Sequence, residues 1–267
     1  MVGHAHPIGM SNHYRAIAEY YDAEYASKEM LQHDVPFFME QLPKSKQSVL
    51  DLACGTGRAS IPIAQAGHRV VGVDYAADML AIAKRKRDGV GLTDGQLNLK
   101  QQNCLKLRLN EKFDWITIFF NTFLAFTTLE QQDAVLAGVR KHLKPRGRFW
   151  LDIFQPNLDL LAKPVSKNVD SNHFYVDSLE RAVLQQTDVR RDQATQCQHV
   201  TFRYQWFDAS GREHREKISF DMTFMFPREL QLLLERNGLK IEAIFGDYDG
   251  SPLSPDSPRM IAKCRLA

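Results

Sequence analysis

The stretch Cys54-Gly-Thr-Gly57 is a tight glycine turn between an apolar run and a helical segment. Glycine at positions 55 and 57 removes side chains where a ligand must come close to the backbone, and the helix that begins beyond them has N–H groups without intrahelical partners. Asp74 stands 19 residues past Gly55 (74 minus 55), at the end of the next apolar run, where a carboxylate accepts hydrogen bonds from ribose hydroxyls. The pair implies a ligand built on adenosine. A dinucleotide fingerprint G-x-G-x-x-G would need glycine where Ser60 stands, which disfavours nicotinamide and flavin. Asp51, just before the turn, would repel a pyrophosphate and suits a ligand that carries an ammonium and a sulfonium.

The elements that position these residues alternate. Ser48–Ala53 reads as a strand, 58–66 as a helix, Arg69–Asp74 as a strand and 77–87 as a helix. Further strands are expected at 97–102, 113–120 and 148–154, with a helix over 129–143 before the last of them. This order predicts an α/β fold: a Rossmann-like seven-stranded mostly parallel sheet with helices on both faces, completed by helix 228–237 and strands 239–245 and 259–265. Apolar and aromatic residues at helical spacing (Tyr14, Ile17, Ala18, Tyr21, Tyr25) predict an N-terminal helical cap over 1–47, broken into two pieces at Pro36. The core then covers 48–169 and 226–267. Between them, 170–225 reads as an antiparallel β insertion on the substrate side, with strands at 182–189, 198–207 and 215–224.

Composition narrows the partners. A formal charge of +2 over 267 residues is too small to mark the whole chain as a nucleic-acid binder, which usually needs a clustered basic face. The run Lys84-Arg-Lys-Arg87 closes a helix, where cations favour the negative dipole end. Cys54, Cys104, Cys197 and Cys264 lack metal-ligand spacing and suggest no disulfide framework, so a reducing cytoplasm and no metal are expected. No signal peptide or membrane-spanning run is seen, and oligomeric state has no sequence signature.

Val49-Leu-Asp-Leu-Ala-Cys-Gly-Thr-Gly57, Val71-Gly-Val-Asp74 with Met79-Leu80, and Gln102-Asn103-Cys104-Leu105 together resemble the successive cofactor motifs of class I S-adenosylmethionine-dependent methyltransferases. Phe120-Asn121-Thr122-Phe123 and the β insertion are similar to glycine and sarcosine N-methyltransferases and to sugar N,N-dimethyltransferases. The resemblance implies S-adenosylmethionine as cofactor, with Gly55 and Gly57 under its methionyl part and Asp51, Ala53 and Cys54 also among the residues that bind it. It further implies that Asp74 holds the ribose, that Tyr75 and Met79 flank the adenine, and that Asn103, Cys104 and Leu105 touch its edge. Tyr14 and Tyr21 of the cap would lie near the sulfonium, Arg58 or Lys28 would meet the methionyl carboxylate, and Phe120 would also bind the cofactor. Tyr14, Tyr21 and Asn121 are the expected catalytic residues, with Asn121 facing the acceptor.

Asn121-Thr-Phe-Leu124 stands where amino-methyltransferases of nucleobases often read Asn-Pro-Pro-Tyr, so the expected acceptor is a small molecule. No His or Glu can be named as an obligatory base, which favours an amine over a hydroxyl acceptor. A small-molecule O-methyltransferase, a non-catalytic binder of S-adenosylmethionine and a nicotinamide-dependent dehydrogenase are the rival readings. Asp247, Tyr248 and Asp249, in the loop after strand 239–245, could reach the same rim or simply form a polar turn.

Overall fold

A computed structural model describes Ala18 and residues 20–267. The cap comprises helices α1 (20–26) and α2 (Asp34–Glu40). The chain continues through β1 (Ser48–Leu52), α3 (Ser60–Gln65), β2 (Arg69–Asp74), α4 (Ala77–Gly89), β3 (Leu97–Gln101), β4 (Phe113–Ile118), α5 (Leu129–His142) and β5 (Leu143–Phe154). The short α6 (Leu158–Leu161) leads to β6 (Val165–Val176), β7 (Arg181–Asp192), β8 (Cys197–Phe207) and β9 (Glu213–Thr223). Helix α7 (Pro227–Arg236), β10 (Leu239–Phe245) and β11 (Arg259–Leu266) complete it.

Seven strands form one sheet in the order β10-β11-β5-β4-β1-β2-β3. Pairs among β1 to β5 are parallel, and β11 is antiparallel to both β5 and β10. Because helices cover both faces, the central strands read as continuous apolar runs rather than alternating ones, and every residue of β1 is buried. On one face Leu50, Ile116 and Leu151 pack with Val135, Leu136 and Val139 of α5 and Leu230 and Leu234 of α7. On the other, Val49, Trp115 and Trp150 pack with Phe37 and Phe38 of α2 and Ile61 and Ile63 of α3. The buried positions of α5, Gln132, Val135, Leu136, Val139 and His142, follow the helical period, and Thr128 caps its start by accepting from Gln131 N at 3.3 Å.

A separate antiparallel sheet holds β6-β7-β8-β9. It begins at Val165, ahead of the expected start at 170, because Val165 and Ser166 already pair with Arg190 and Val189. The strand then bulges before Asp170, with Asn168 at φ 51°, and this hides its alternation. The cap also differs from expectation. Pro36 lies inside α2, in the first turn, where its missing N–H disturbs no helical bond; the break falls earlier, around Ser27 and Lys28. Strand β4 stops at Ile118 instead of 120, because Phe120 turns to φ 42°. Among the described residues no helix is long and apolar enough to cross a membrane.

Candidate active site

The parallel strands end on one rim, and the glycine turn after β1 lies there. Ala53, Gly55 and Gly57 all have left-handed φ (56°, 54° and 80°), a conformation that Ala53 adopts against the preference of its Cβ. A Cβ built on Gly55 would meet nothing within 4 Å, so this side of the turn is open to a ligand. On Gly57 a Cβ would come within 3.2 Å of Ile61 Cδ1, so that glycine serves the packing of α3.

Asp74, at the end of β2, accepts from Gly55 N through Oδ2 and from Ala76 N through Oδ1, each at 2.8 Å. The two bonds fix the plane of the carboxylate and leave each oxygen a further lone pair, the number that a ribose diol requires. Burial raises its pKa, and the backbone donors oppose that rise. Tyr75 beside it is 50% exposed, whereas Met79 is buried against Ala76 and Ala18, with Tyr21 of α1 packed on the same cluster. Asn103 caps the turn Cys104–Lys106 by accepting from Leu105 N at 2.8 Å, and Cys104 and Leu105 join the core cluster that includes Val71 and Val73 of β2. Burial pushes the Cys104 thiol up to about 12 and that of Cys54 up as well, so both shape the site as neutral thiols.

Asp51 is 2% exposed within β1, where its Oδ2 accepts from Ser60 Oγ at 2.5 Å and its Oδ1 from Thr117 Oγ1 at 3.0 Å. Burial raises its pKa to about 6 despite these donors. It is a carboxyl at the threshold of ionisation, which a nearby cation would hold in the charged form.

Other expected contacts are already engaged. Arg58 makes a two-pronged ion pair with buried Asp34 of α2 (Nη1–Oδ1 2.8 Å, Nη2–Oδ2 2.6 Å), so only its remaining N–H groups are left for a cofactor carboxylate. Lys28 lies 3.3 Å from Oε1 of Glu24, a buried residue of α1, and over the Tyr25 ring, so it too is partly engaged. Tyr14 falls outside the described residues. Tyr21 stacks on Tyr25 at 4.1 Å between ring centres, and Tyr25 meets Phe120 edge-on at 5.6 Å, so the cap covers the rim with aromatic rings.

Asn121 has a structural role in the turn after β4. It has φ 63°, directly after Phe120 at 42°, and its Oδ1 accepts from Phe154 N at 2.7 Å. The side chain ties the end of β4 to the end of β5, which leaves one lone pair of Oδ1 and the Nδ2 group without a partner in the turn. The loop after β10 is also committed. Asp247 Oδ1 accepts from Tyr248 N and Asp249 Oδ1 from Ser251 N, both at 2.8 Å, which is turn chemistry. Tyr248 is buried and donates to Asp152 Oδ2 at 2.9 Å.

Sequence reasoning missed several of the residues that build this rim. Asp152 of β5 pairs with Arg259 of β11 through Nε at 3.0 Å, both buried, and also accepts from Phe120 N at 3.2 Å. The Arg259 guanidinium lies over the rings of Phe120 and Tyr248 at 5.1 and 5.5 Å. A charge inside the apolar run Phe149-Trp-Leu-Asp-Ile-Phe154 was the available signal, because a buried carboxylate needs a partner. Thr56 of the glycine turn donates to Asp22 of α1 at 2.6 Å, and Lys86 of α4 donates to the same carboxylate at 2.9 Å. Tyr204 of β8 donates to Glu24 Oε2 at 2.7 Å. Helix α1 is therefore tied to the glycine turn on one side and to the insertion on the other.

Residues 49–147 match the methyltransferase-domain family. The cypemycin N-terminal methyltransferase of Streptomyces sp is 30% identical over 220 residues, 82% of this chain and 83% of that protein. Among solved structures, the CcbJ methyltransferase from Streptomyces caelestis is similar with a TM-score of 0.77 at 20% identity, covering 94% of this chain and 96% of that one. CalS10, an amino pentose methyltransferase from Micromonospora echinaspora with S-adenosylmethionine bound, gives a TM-score of 0.70 at 18% identity, covering 91% of this chain and 96% of that one.

Proposed function

The chain belongs to the class I S-adenosylmethionine-dependent methyltransferases, and on that premise we propose that it methylates an amine nitrogen of a small-molecule acceptor. Bound S-adenosylmethionine supplies a methyl group already activated on a sulfonium. In this reading Asp74 holds the ribose, the open side of Gly55 takes the methionyl part, and ionised Asp51 balances the cofactor's positive charge. Tyr21, Tyr25 and Phe120 exclude water and keep the acceptor in line with the methyl group.

The observation that carries the amine reading is the engagement of Asp152. This buried rim carboxylate is held by Arg259, Tyr248 and the Phe120 N–H, and burial beside it pushes the Tyr248 hydroxyl far above its ordinary pKa. Neither group is poised to take a proton from a hydroxyl acceptor. A neutral amine attacks with its own lone pair and releases its proton to solvent after transfer, so it needs no such base. The cypemycin N-terminal methyltransferase, whose name states an N-terminal target, supports the same choice.

The test is a panel of matched acceptors with S-adenosylmethionine: amino sugars against the corresponding hydroxyl sugars, and short peptides with free against acetylated N-termini. S-adenosylhomocysteine release and the mass gain of one methyl group are followed together. Transfer confined to the free amines is the expected result. Equal transfer to the hydroxyl partners would overturn the reading.

A further inference from the structure

Strand β7 turns alternate residues to the covered face of the insertion sheet: Val183, Gln185, Thr187, Val189 and Arg191, none more than 8% exposed. Arg190, one position earlier, points the other way and is exposed. Arg191 Nη1 donates to the Lys163 carbonyl at 3.0 Å and to Ser166 Oγ at 2.7 Å, both neutral acceptors, and its buried Nε has no partner. Among the described residues no carboxylate pairs with it, and burial draws its pKa down with no negative charge opposing.

The other enclosed guanidinium groups differ. Arg58 has Asp34, Arg87 has Asp88 and Asp94, and Arg259 has Asp152. A largely enclosed cation without a counter-charge is costly to a fold, and a negative group supplied from outside would offset that cost.

The location fits such a group. Gln198, itself buried, stands directly across from Arg191 in the β7–β8 register, and Met222 of β9 stands across from Gln198. Strand β9 packs against the turn Thr122–Ala125 that follows the rim end of β4. Gln193, just past β7, donates to the Leu161 carbonyl of α6, the helix that follows the rim end of β5. Arg191 therefore belongs to the end of the insertion sheet that adjoins the rim.

We propose that Arg191 binds an anionic oxygen group of the methyl acceptor, a phosphate or a carboxylate. This rests on the amine reading above: the acceptor then carries its nucleophilic nitrogen at the methyl end and a negative group at the insertion end. The planar fork of a guanidinium suits either anion.

The experiment measures anion binding directly on the full chain, without S-adenosylmethionine and without any amine. Inorganic pyrophosphate and, separately, succinate are titrated at low ionic strength into wild type, Arg190→Gln and Arg191→Gln, with calorimetry and melting temperature as readouts. At about ten times Kd, wild type and Arg190→Gln should each gain about 2–4 °C in Tm, and Arg191→Gln should gain none. A response to pyrophosphate alone identifies a phosphorylated acceptor, and one to succinate alone a carboxylate. The proposal is overturned when neither anion binds wild type, or when Arg190→Gln loses binding as fully as Arg191→Gln. Should Arg191→Gln fail to fold, Arg191→Met, which keeps the apolar stem, takes its place, and anion binding equal to wild type in either folded Arg191 variant also overturns the proposal. Methyl transfer plays no part in this assay, so an acceptor panel without amine transfer would sink the amine reading and leave the anion result standing.

Discussion

Asp74 owes its orientation to two backbone donors, Gly55 N and Ala76 N, so its outward lone pairs are fixed before any ligand arrives. Asp74→Ala should weaken S-adenosylmethionine binding by about 10-fold to 150-fold, the equivalent of roughly 1.5–3 kcal/mol for a charged hydrogen bond; titration calorimetry on the folded variant measures it. Asp51 gives a pH signature. Its pKa in the fold, about 6, lies above the ordinary carboxylate range, so the native state holds this proton more tightly than the unfolded chain does. The stability it contributes is full below about pH 4, declines as pH rises from about 4 to 6, and is constant above, a change on the order of 3 kcal/mol. Urea unfolding at pH 4 and pH 7 should therefore show wild type losing stability relative to Asp51→Asn across that interval. Asn121 can be tested by a conservative exchange. Asn121→Asp keeps the oxygen that accepts from Phe154 N and replaces Nδ2 by a second acceptor. A purely turn-forming residue should then retain a transfer rate within about threefold of wild type, whereas loss of a substrate-orienting donor should cost roughly 10-fold to 100-fold.

At the level of elements, helix α1 joins three parts of the protein through two carboxylates of unlike exposure. Glu24 is fully buried under Tyr204, and Asp22 is partly open beneath Thr56 and Lys86. Tyr204→Phe leaves a buried carboxylate short of a donor and should cost about 1–3 kcal/mol in urea unfolding, more than the roughly 0.5–1.5 kcal/mol expected for Thr56→Val. The reverse order would mean that the glycine turn, and not the insertion, anchors the cap. The strand, glycine turn and helix of the core were legible in the sequence because each has a local cause: an apolar run buried on both faces, glycines that accept left-handed φ, and a helical period in α5. What could not be read was non-local. Arg58 and Asp34 meet across 24 positions, and Asp152 and Arg259 across 107, without any pattern that links the partners. Pro36 misled because a proline in a first helical turn and a proline that ends a helix look alike in sequence.

At the scale of the whole molecule, the glycine turn with Asp74 and the insertion are carried by separate sheets, and α1 bridges them. Phe202 and Phe220 meet edge-on at 5.2 Å across β8 and β9. If the insertion serves the acceptor, Phe220→Ala should raise the acceptor KM while S-adenosylmethionine affinity stays within about threefold, since removing uniform binding leaves the other ligand's contacts intact. A loss of cofactor affinity at unchanged KM would reverse that division. The placement of β11 has a kinetic consequence. It lies between β5 and β10, although the entire second sheet and α7 intervene in sequence between β5 and β11. Closing so long a loop is entropically slow, so during refolding β5 presents a bare edge for as long as β11 is undocked. Another chain's strand can occupy that edge first, so the recovered yield of native protein should fall as refolding concentration rises, and dilution should restore it.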